Sequence, residues 1–331
     1  MTNKKGKIMD EEVRDKIVDI IKKNNSFSLF CHISPDGDAL GSMNAFKLVL
    51  QKIGKKVYIF CDGKIPADLT FLNISLDDDI KHISQSDVLI MLDCNSLDRI
   101  GKYGEEFDKA KIKINIDHHQ KSNYAFDYSL VDENSPSTAD ILFELIKHLD
   151  VVINSNIAQN LYTGLSTDTG CFMHPSTNGD SHRHAYELLN YNFDLADVNY
   201  SLFKYKQKKY LYFYKTVLKN TKSYLSGNVY ITFIGTKTYK RFENIFENTN
   251  CFQFLDGIEG NEIRVKVLEK EDDVFYLSFR SNKYANVCNI AKAFGGGGHI
   301  RASGATIKGH YGEILEQILE ECRQELKRSK S

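Results

Sequence analysis

From residue 10 to about 195 the chain alternates short apolar runs, rich in β-branched and aromatic side chains, with longer segments whose apolar positions recur at helical spacing. That alternation predicts βαβ units around a parallel sheet. Strands are expected at 28–31, 57–60, 88–92 and 112–116, and a helix at 41–52 that Gly54 stops. Residues 137–149 and 156–166 predict further helices, with Ser137 as the N-cap of the first.

Residues 194–221 mix apolar and basic side chains without Gly or Pro and predict a connecting helix, whose aromatic stripe reads as packing. Beyond it the period changes. Segment 229–234 predicts a strand, and 262–269 and 274–280 alternate faces on either side of an acidic turn, as a β-hairpin does. A helix is expected at about 311–327, and no internal repeat or low-complexity tract interrupts this order. The expected fold is α/β: a parallel-sheet domain over 1–195, a helical linker over 196–221 and a smaller α+β domain over 222–331.

A chain of 331 residues exceeds what one core usually organises, in keeping with two domains. Net charge is −1, so no overall basic field exists to hold long DNA or RNA through many phosphates, and small or short anionic substrates fit better. Seven cysteines, at 31, 61, 94, 171, 251, 288 and 322, show no C-x-x-C spacing and point to a reducing compartment. Lys4, Lys5 and Lys7 are followed by Asp10, Glu11 and Glu12 where an export signal needs an apolar core. Apolar runs fall far short of the ~20 residues of a membrane span. A cytoplasmic protein is expected.

The acidic and imidazole residues change this picture most. His32, Asp36 and Asp38 stand in HISPDGDALGS, Asp93 in IMLDCNSLDR, Asp117, His118 and His119 in NIDHHQ, and Asp168 in LSTDTGCF. His32, Asp93 and Asp117 each fall just after an expected strand. Ligands of open α/β sheets bind outside the carboxyl ends of the strands, so three such ends would line one crevice. Gly37 is expected to let the backbone turn tightly and aim Asp36 and Asp38 into one region. Taken singly, an Asp after a strand is a turn former or the N-cap of the next helix. Together these residues form a donor set large enough for two divalent cations, and mixed carboxylate and imidazole ligands suit Mn²⁺ and, less exclusively, Mg²⁺ or Fe. His174, His182 and His184 read as solvated loop and helix-start residues, and Arg99, open to substrate contact or a structural ion pair, is left out of the site.

HISPDGDALGS, Asp93, the DHH run at 117–119 and STDTG at 166–170 resemble the four motifs of the DHH phosphoesterase superfamily. FRS at 279–281 and GGGGHIRASGA at 295–305 resemble its DHHA1 substrate-binding domain, so the likeness spans nearly the whole chain. Carried over residue by residue, the resemblance implies that His32, Asp36 and Asp93 hold one cation and that Asp38, Asp93, His118 and Asp168 hold the other. Asp93 would then bridge ions ~3.5–4 Å apart that share a water whose pKa falls from ~15.7 towards ~7, ready for in-line attack on phosphorus. His119 is implied either to contact the scissile phosphate and assist proton transfer or to orient the centre, and Asp117 either to ligate or to orient His118. Arg280, Ser281, Gly296, Gly297, Gly298 and His299 are implied to bind substrate, with bare glycine backbone approaching a phosphate. One or two glycines of the run also suit a helix C-cap.

The compact length resembles the branch of nano-RNases and pAp phosphatases more than the long RecJ-type exonucleases. The implied activity is hydrolysis of short oligoribonucleotides to mononucleotides and dephosphorylation of 3′-phosphoadenosine 5′-phosphate (pAp). The alternative is a cyclic-dinucleotide phosphodiesterase acting on c-di-AMP or its linear product pApA. A pyrophosphatase fits less well because of the GGGGH motif, a regulator with a vestigial site because the ligand set is complete, and a single-strand binder along 200–214 because packing explains that segment. Short RNA or small nucleotides are the expected partners, without long DNA or a membrane, and a homodimer is one option for the oligomeric state.

Overall fold

The computed structural model describes residues 10–120, 122–246 and 255–329, which form two compact units that divide between Tyr205 and Lys206. In the first, α1 (Glu11–Lys23) precedes five parallel strands, β1 (Ser26–Phe30), β2 (Lys56–Phe60), β3 (Val88–Leu92), β4 (Lys113–Asp117) and β5 (Tyr128–Val131). Their order is β2-β1-β3-β4-β5. All five residues of β3 are buried, as a continuous apolar run in a covered parallel sheet should be.

Phe27, Leu29, Ile90 and Ile114 face one side, against α2 (Gly37–Lys52), α5 (Thr138–Ile146) and α6 (Ser155–Asp168). Phe30, Phe60, Leu89 and Met91 face the other with Tyr103 and Phe107, and Phe30 stacks on Phe60 at 5.3 Å. The short helices α3 (Lys81–Ser84) and α4 (Gly104–Asp108) lie between β2 and β4 in sequence, and α7 (Gly179–Leu189) and α8 (Leu195–Asn199) follow α6. The chain leaves β1 for β2 on one side and returns to β3 on the other. This reversal of strand order opens a crevice beyond the carboxyl ends of β1 and β3.

The helix expected at 41–52 starts earlier, at Gly37, because Asp36 caps it. Gly37 is thus helical, and its role is close approach rather than a tight turn: a Cβ there would lie 2.4 Å from Thr167 Cγ2. The single helix expected over 194–221 is not formed. α8 ends at Asn199, a π-type turn covers Tyr200–Lys204, Tyr205 is extended, and α9 (Lys208–Lys219) begins afresh. Two cores compete for the segment. Val198 and Leu202 are buried with the first unit, whereas Phe213 and Val217 pack with Ile234, Tyr239 and Phe242 of the second.

The second unit is a six-stranded sheet of order β10-β11-β9-β8-β7-β6, comprising β6 (Thr221–Tyr224), β7 (Val229–Ile234), β8 (Ile263–Glu271), β9 (Val274–Ser281), β10 (Gly297–His299) and β11 (Ala302–Lys308). Every pair is antiparallel except β7 with β8, between which α10 (Thr236–Phe246) lies in sequence. The expected hairpin is β8–β9, with Asp273 at φ 59° in its acidic turn. α11 (Val287–Ala293) and α12 (Tyr311–Arg328) bury Ile290, Ile314 and Ile318 against Val265, Val267, Leu277 and Phe279. Among the described residues no helix is long and apolar enough to cross a membrane, and the six described cysteines are unpaired.

Candidate metal centre

The loop after β1 carries His32 and Asp36. Asp36 is at once the N-cap of α2 and a site residue: Oδ1 accepts the N–H groups of Asp38 and Ala39, both at 3.1 Å, and Oδ2 lies 3.9 Å from His32 Nε2. Asp38, two residues on in the first turn of α2, is fully buried. Its carboxylate accepts the N–H groups of Thr138 at 2.6 Å and Ala139 at 2.9 Å from the start of α5, and the Ser42 hydroxyl at 3.1 Å. Helix N-termini favour negative charge, so α5 cradles this anion.

Asp93 follows β3 with φ 57°, a left-handed conformation that Asp adopts at a cost of about 1–3 kcal/mol and that is typically kept at functional sites. The residue is 2 % exposed. Its two oxygens diverge. Oδ2 lies 3.3 Å from His32 Nε2, whereas Oδ1 lies 3.4 Å from His118 Nε2 and accepts the Thr138 hydroxyl at 3.0 Å. His118 Nε2 also lies 3.1 Å from Asp168 Oδ2 and 4.0 Å from Asp38 Oδ2. His32, Asp36 and Asp93 form one group, and Asp38, His118 and Asp168 another, in each of which donor atoms lie within 4.8 Å of one another.

The electrostatics fit divalent cations. Burial, with Asp93 and Asp168 nearby, pushes the Asp38 carboxyl well up, and burial with Asp93 raises Asp36. Burial works against the Asp93 carboxylate too, but His118 and His32 hold it below the ordinary range. Burial lowers the His118 pKa, and Asp168 and Asp93 outweigh it, raising the ring to about 11. Four carboxylates converging on two imidazoles thus carry more negative charge than the site can solvate. The donors are carboxylate oxygens and imidazole nitrogens, a hard-to-borderline set that suits divalent cations, and the buried thiols Cys31, Cys61 and Cys94 are in neither group.

Two details differ from expectation. Asp117 orients His119 rather than His118: its Oδ1 accepts His119 Nδ1 at 2.7 Å and the His119 N–H at 3.1 Å, whereas His118 Nδ1 faces the Ser135 carbonyl at 3.4 Å. His184 is not solvated but fully buried, because Asp140 and Glu144 offer its ring two polar partners inside the core. His174 and His182 are exposed as expected, His174 Nδ1 lying 3.1 Å from the Asp168 carbonyl oxygen and His182 stacking on Phe172 at 5.0 Å. Thr138 and Ala139 carry no motif in the sequence, and Ser137, the cap of the helix that presents them, is the one signal that points to them.

The DHH family, N-terminal domain, matches residues 26–165, and the DHHA1 domain matches residues 244–328. The chain is 31% identical over 303 residues to the bifunctional oligoribonuclease and PAP phosphatase NrnA of Thermus thermophilus, covering 90% of this chain and 89% of that one. This chain belongs to the DHH family. The protein of the same name from Bacillus subtilis is 27% identical over 89% of this DHH chain and 93% of its own. A crystal structure of an exopolyphosphatase-related protein from Bacteroides fragilis superposes with a TM-score of 0.84 at 25% identity, over 98% of this chain and all of that one (100%).

In the DHHA1 unit the strand register aligns Arg264, Arg280, Ala302 and His299 in one row across β8, β9, β11 and β10, on one face of the sheet. Arg264 is ion-paired to Asp256 and, through burial and Arg280 opposite, has a lowered pKa. Ser281 is next along β9 and belongs to the opposite, buried side, where its Oγ accepts Arg301 Nη1 at 3.4 Å. Arg280 and Ser281 are therefore not brought together. Gly295, at φ 70°, ends α11, and residues 297–299 form the edge strand β10 rather than a loop. Gly296 packs against β11, where a Cβ would meet Gly304 O at 2.1 Å, whereas Gly297 faces open space.

Proposed function

We propose that this DHH protein is a divalent-cation-dependent phosphoesterase that hydrolyses short oligoribonucleotides to mononucleotides and dephosphorylates pAp, with Mn²⁺ as its working ion, in the reducing cytoplasm. The observation that carries this reading is the divided carboxylate of Asp93, which faces His32 with one oxygen and His118 with the other. Two relatives named as bifunctional oligoribonucleases and PAP phosphatases support the substrate class.

In this reading His32, Asp36 and Asp93 hold one cation, and Asp38, Asp93, His118 and Asp168 hold the second. Bound there, divalent cations supply Lewis-acid polarisation of the phosphoryl group and activation of water at neutral pH. The chain's own residues do the rest. Asp117 fixes His119 through Nδ1 and raises its pKa, favouring the protonated ring, which leaves Nε2–H to deliver a proton to the leaving oxygen. Arg280, His299 and the open backbone of Gly297 hold substrate phosphate, with Arg280 as the forked donor.

Initial rates with Mn²⁺ on a five-nucleotide RNA, pApA, pAp and c-di-AMP, beside an Asp93→Ala control, test the reading. Mononucleotides released from RNA, with pAp also dephosphorylated, are expected. Retained hydrolysis in Asp93→Ala would sink it, and dominant turnover of c-di-AMP would move the protein to the cyclic-dinucleotide class.

A further inference from the structure

Ser135, Asp140 and His184 form a chain of contacts that ends on the second group of the metal centre and that the proposed reaction does not use. His184 comes from α7 and is fully buried. Its Nδ1 is hydrogen-bonded to Asp140 Oδ1, and its Nε2 lies 2.5 Å from Glu144 Oε1. The Phe143 ring closes over it at 5.3 Å. Asp140 Oδ2 in turn accepts the Ser135 hydroxyl at 2.8 Å, and the Ser135 carbonyl faces His118 Nδ1.

Asp140 also stands in the first turn of α5, where its N–H reaches the capping Ser137 Oγ at 3.1 Å. That turn presents the Thr138 and Ala139 N–H groups to Asp38 and the Thr138 hydroxyl to Asp93. Burying an imidazole between two carboxylates desolvates three ionisable groups, and apolar side chains of similar volume often stabilise a core as well or better. What a buried polar network adds is fixed geometry. Here the geometry it fixes is that of the groups facing the centre.

We infer that His184 is a positioning residue for the metal centre: from α7 it clamps the first turn of α5 and, through Asp140 and Ser135, sets the Asp38 cradle and the ring orientation of His118. The inference rests on the reading of Asp38, His118 and Asp168 as a cation site. Groups that hold a ligating histidine in place typically govern metal affinity by about 10- to 100-fold.

The test is Mn²⁺ binding by the full-length protein, followed by the electron paramagnetic resonance of free Mn²⁺ and by the Mn²⁺-induced rise in Tm. Wild type, His184→Leu, His184→Asn, Asp38→Asn and the double variant Asp38→Asn/His184→Leu are compared. His184→Leu is expected to weaken one of two Mn²⁺ by about 10- to 100-fold and spare the other. His184→Asn, whose amide N–H takes the place of Nδ1 toward Asp140, is expected to restore most of the loss. In the Asp38→Asn background His184→Leu should add nothing, because the position it acts on is already lost. If His184→Leu fails to fold, His184→Gln, whose amide reaches toward Glu144 instead of Asp140, takes its place with the same expectation. Unchanged binding in the leucine variant, or an equal loss in the Asp38→Asn background, overturns the inference. A wild-type protein that binds no Mn²⁺ overturns the metal reading beneath it.

Discussion

Thr138 and Asp38 stand one hundred residues apart in the chain, and the Thr138 N–H donates to Asp38 Oδ2 at 2.6 Å. The hydroxyl of the same threonine reaches Asp93. One residue of a helix start therefore touches a carboxylate from the first turn of α2 and another from the end of β3, at the β1/β3 crevice. The cation site is built as much by α5 as by the acidic motifs.

Thr138→Val keeps the backbone contact to Asp38 and removes the hydroxyl from Asp93. Turnover is expected to fall about tenfold, with the Tm of the cation-free protein little changed. Steady-state kinetics beside a thermal melt separate the two, and wild-type turnover would show that the hydroxyl is dispensable.

Gly164 lets α6 approach the site, since a Cβ there would lie 2.6 Å from Asp38 Oδ1 and 2.7 Å from Ala139 Cβ. Overpacking of this kind costs about 1–3 kcal/mol. Gly164→Ala is expected to lower stability by that amount in urea unfolding and to weaken Mn²⁺ binding, because the displaced atom belongs to the Asp38 carboxylate.

Cation binding should release protons. Asp168 and Asp93 overcome burial to raise His118 to about 11, so its ring is protonated at neutral pH, and it must lose that proton to ligate. Calorimetry of Mn²⁺ binding in buffers of different ionisation enthalpy is expected to show a net release of protons, from His118 and in addition from the raised Asp38 carboxyl. No dependence on the buffer would contradict the assignment of His118.

His184 predicts a pH signature in stability. Burial lowers its pKa, but Asp140 and Glu144 on α5 raise it above the ~6.5 of an unfolded histidine. Its contribution is therefore full below about pH 6.5 and is lost as pH rises through the folded value. Glu144, which also meets Lys147 and Arg183, is held below the ordinary range by His184, so its contribution is present above about pH 4.3 and lost on acidification. The destabilisation caused by His184→Leu should be larger at pH 6 than at pH 9 in urea melts. The reverse order would mean that the buried ring is neutral.

The glycine run divides into structural and open positions. Gly296→Ala is expected to destabilise the second unit, since its Cβ would meet Gly304 O. Gly297→Ala has open space and should fold like the wild type while raising KM, if phosphate approaches that backbone. An unchanged KM would remove Gly297 from the substrate site.

Much of this architecture was legible in one dimension. The apolar run 88–92 is strand β3 to the residue, Ser137 caps α5 as expected, and the closing helix at 311–327 is α12 within a residue. Such features are set by contacts between chain neighbours, where periodicity and capping speak directly. The connecting helix misled because helix propensity is local, whereas its break is imposed by two cores, one holding Val198 and Leu202 and the other Phe213 and Val217.

The same division holds for the site. By itself the sequence determined the chemical inventory, carboxylates and imidazoles at the ends of strands, because residue type and its place after an apolar run are local properties. Only the tertiary structure decided that Asp93 divides its oxygens between His32 and His118, that α5 cradles Asp38 and that His184 is buried. Each of those depends on the parallel order β2-β1-β3-β4-β5 and on helices packed across it, which bring together residues up to about one hundred positions apart that no pattern of neighbours encodes.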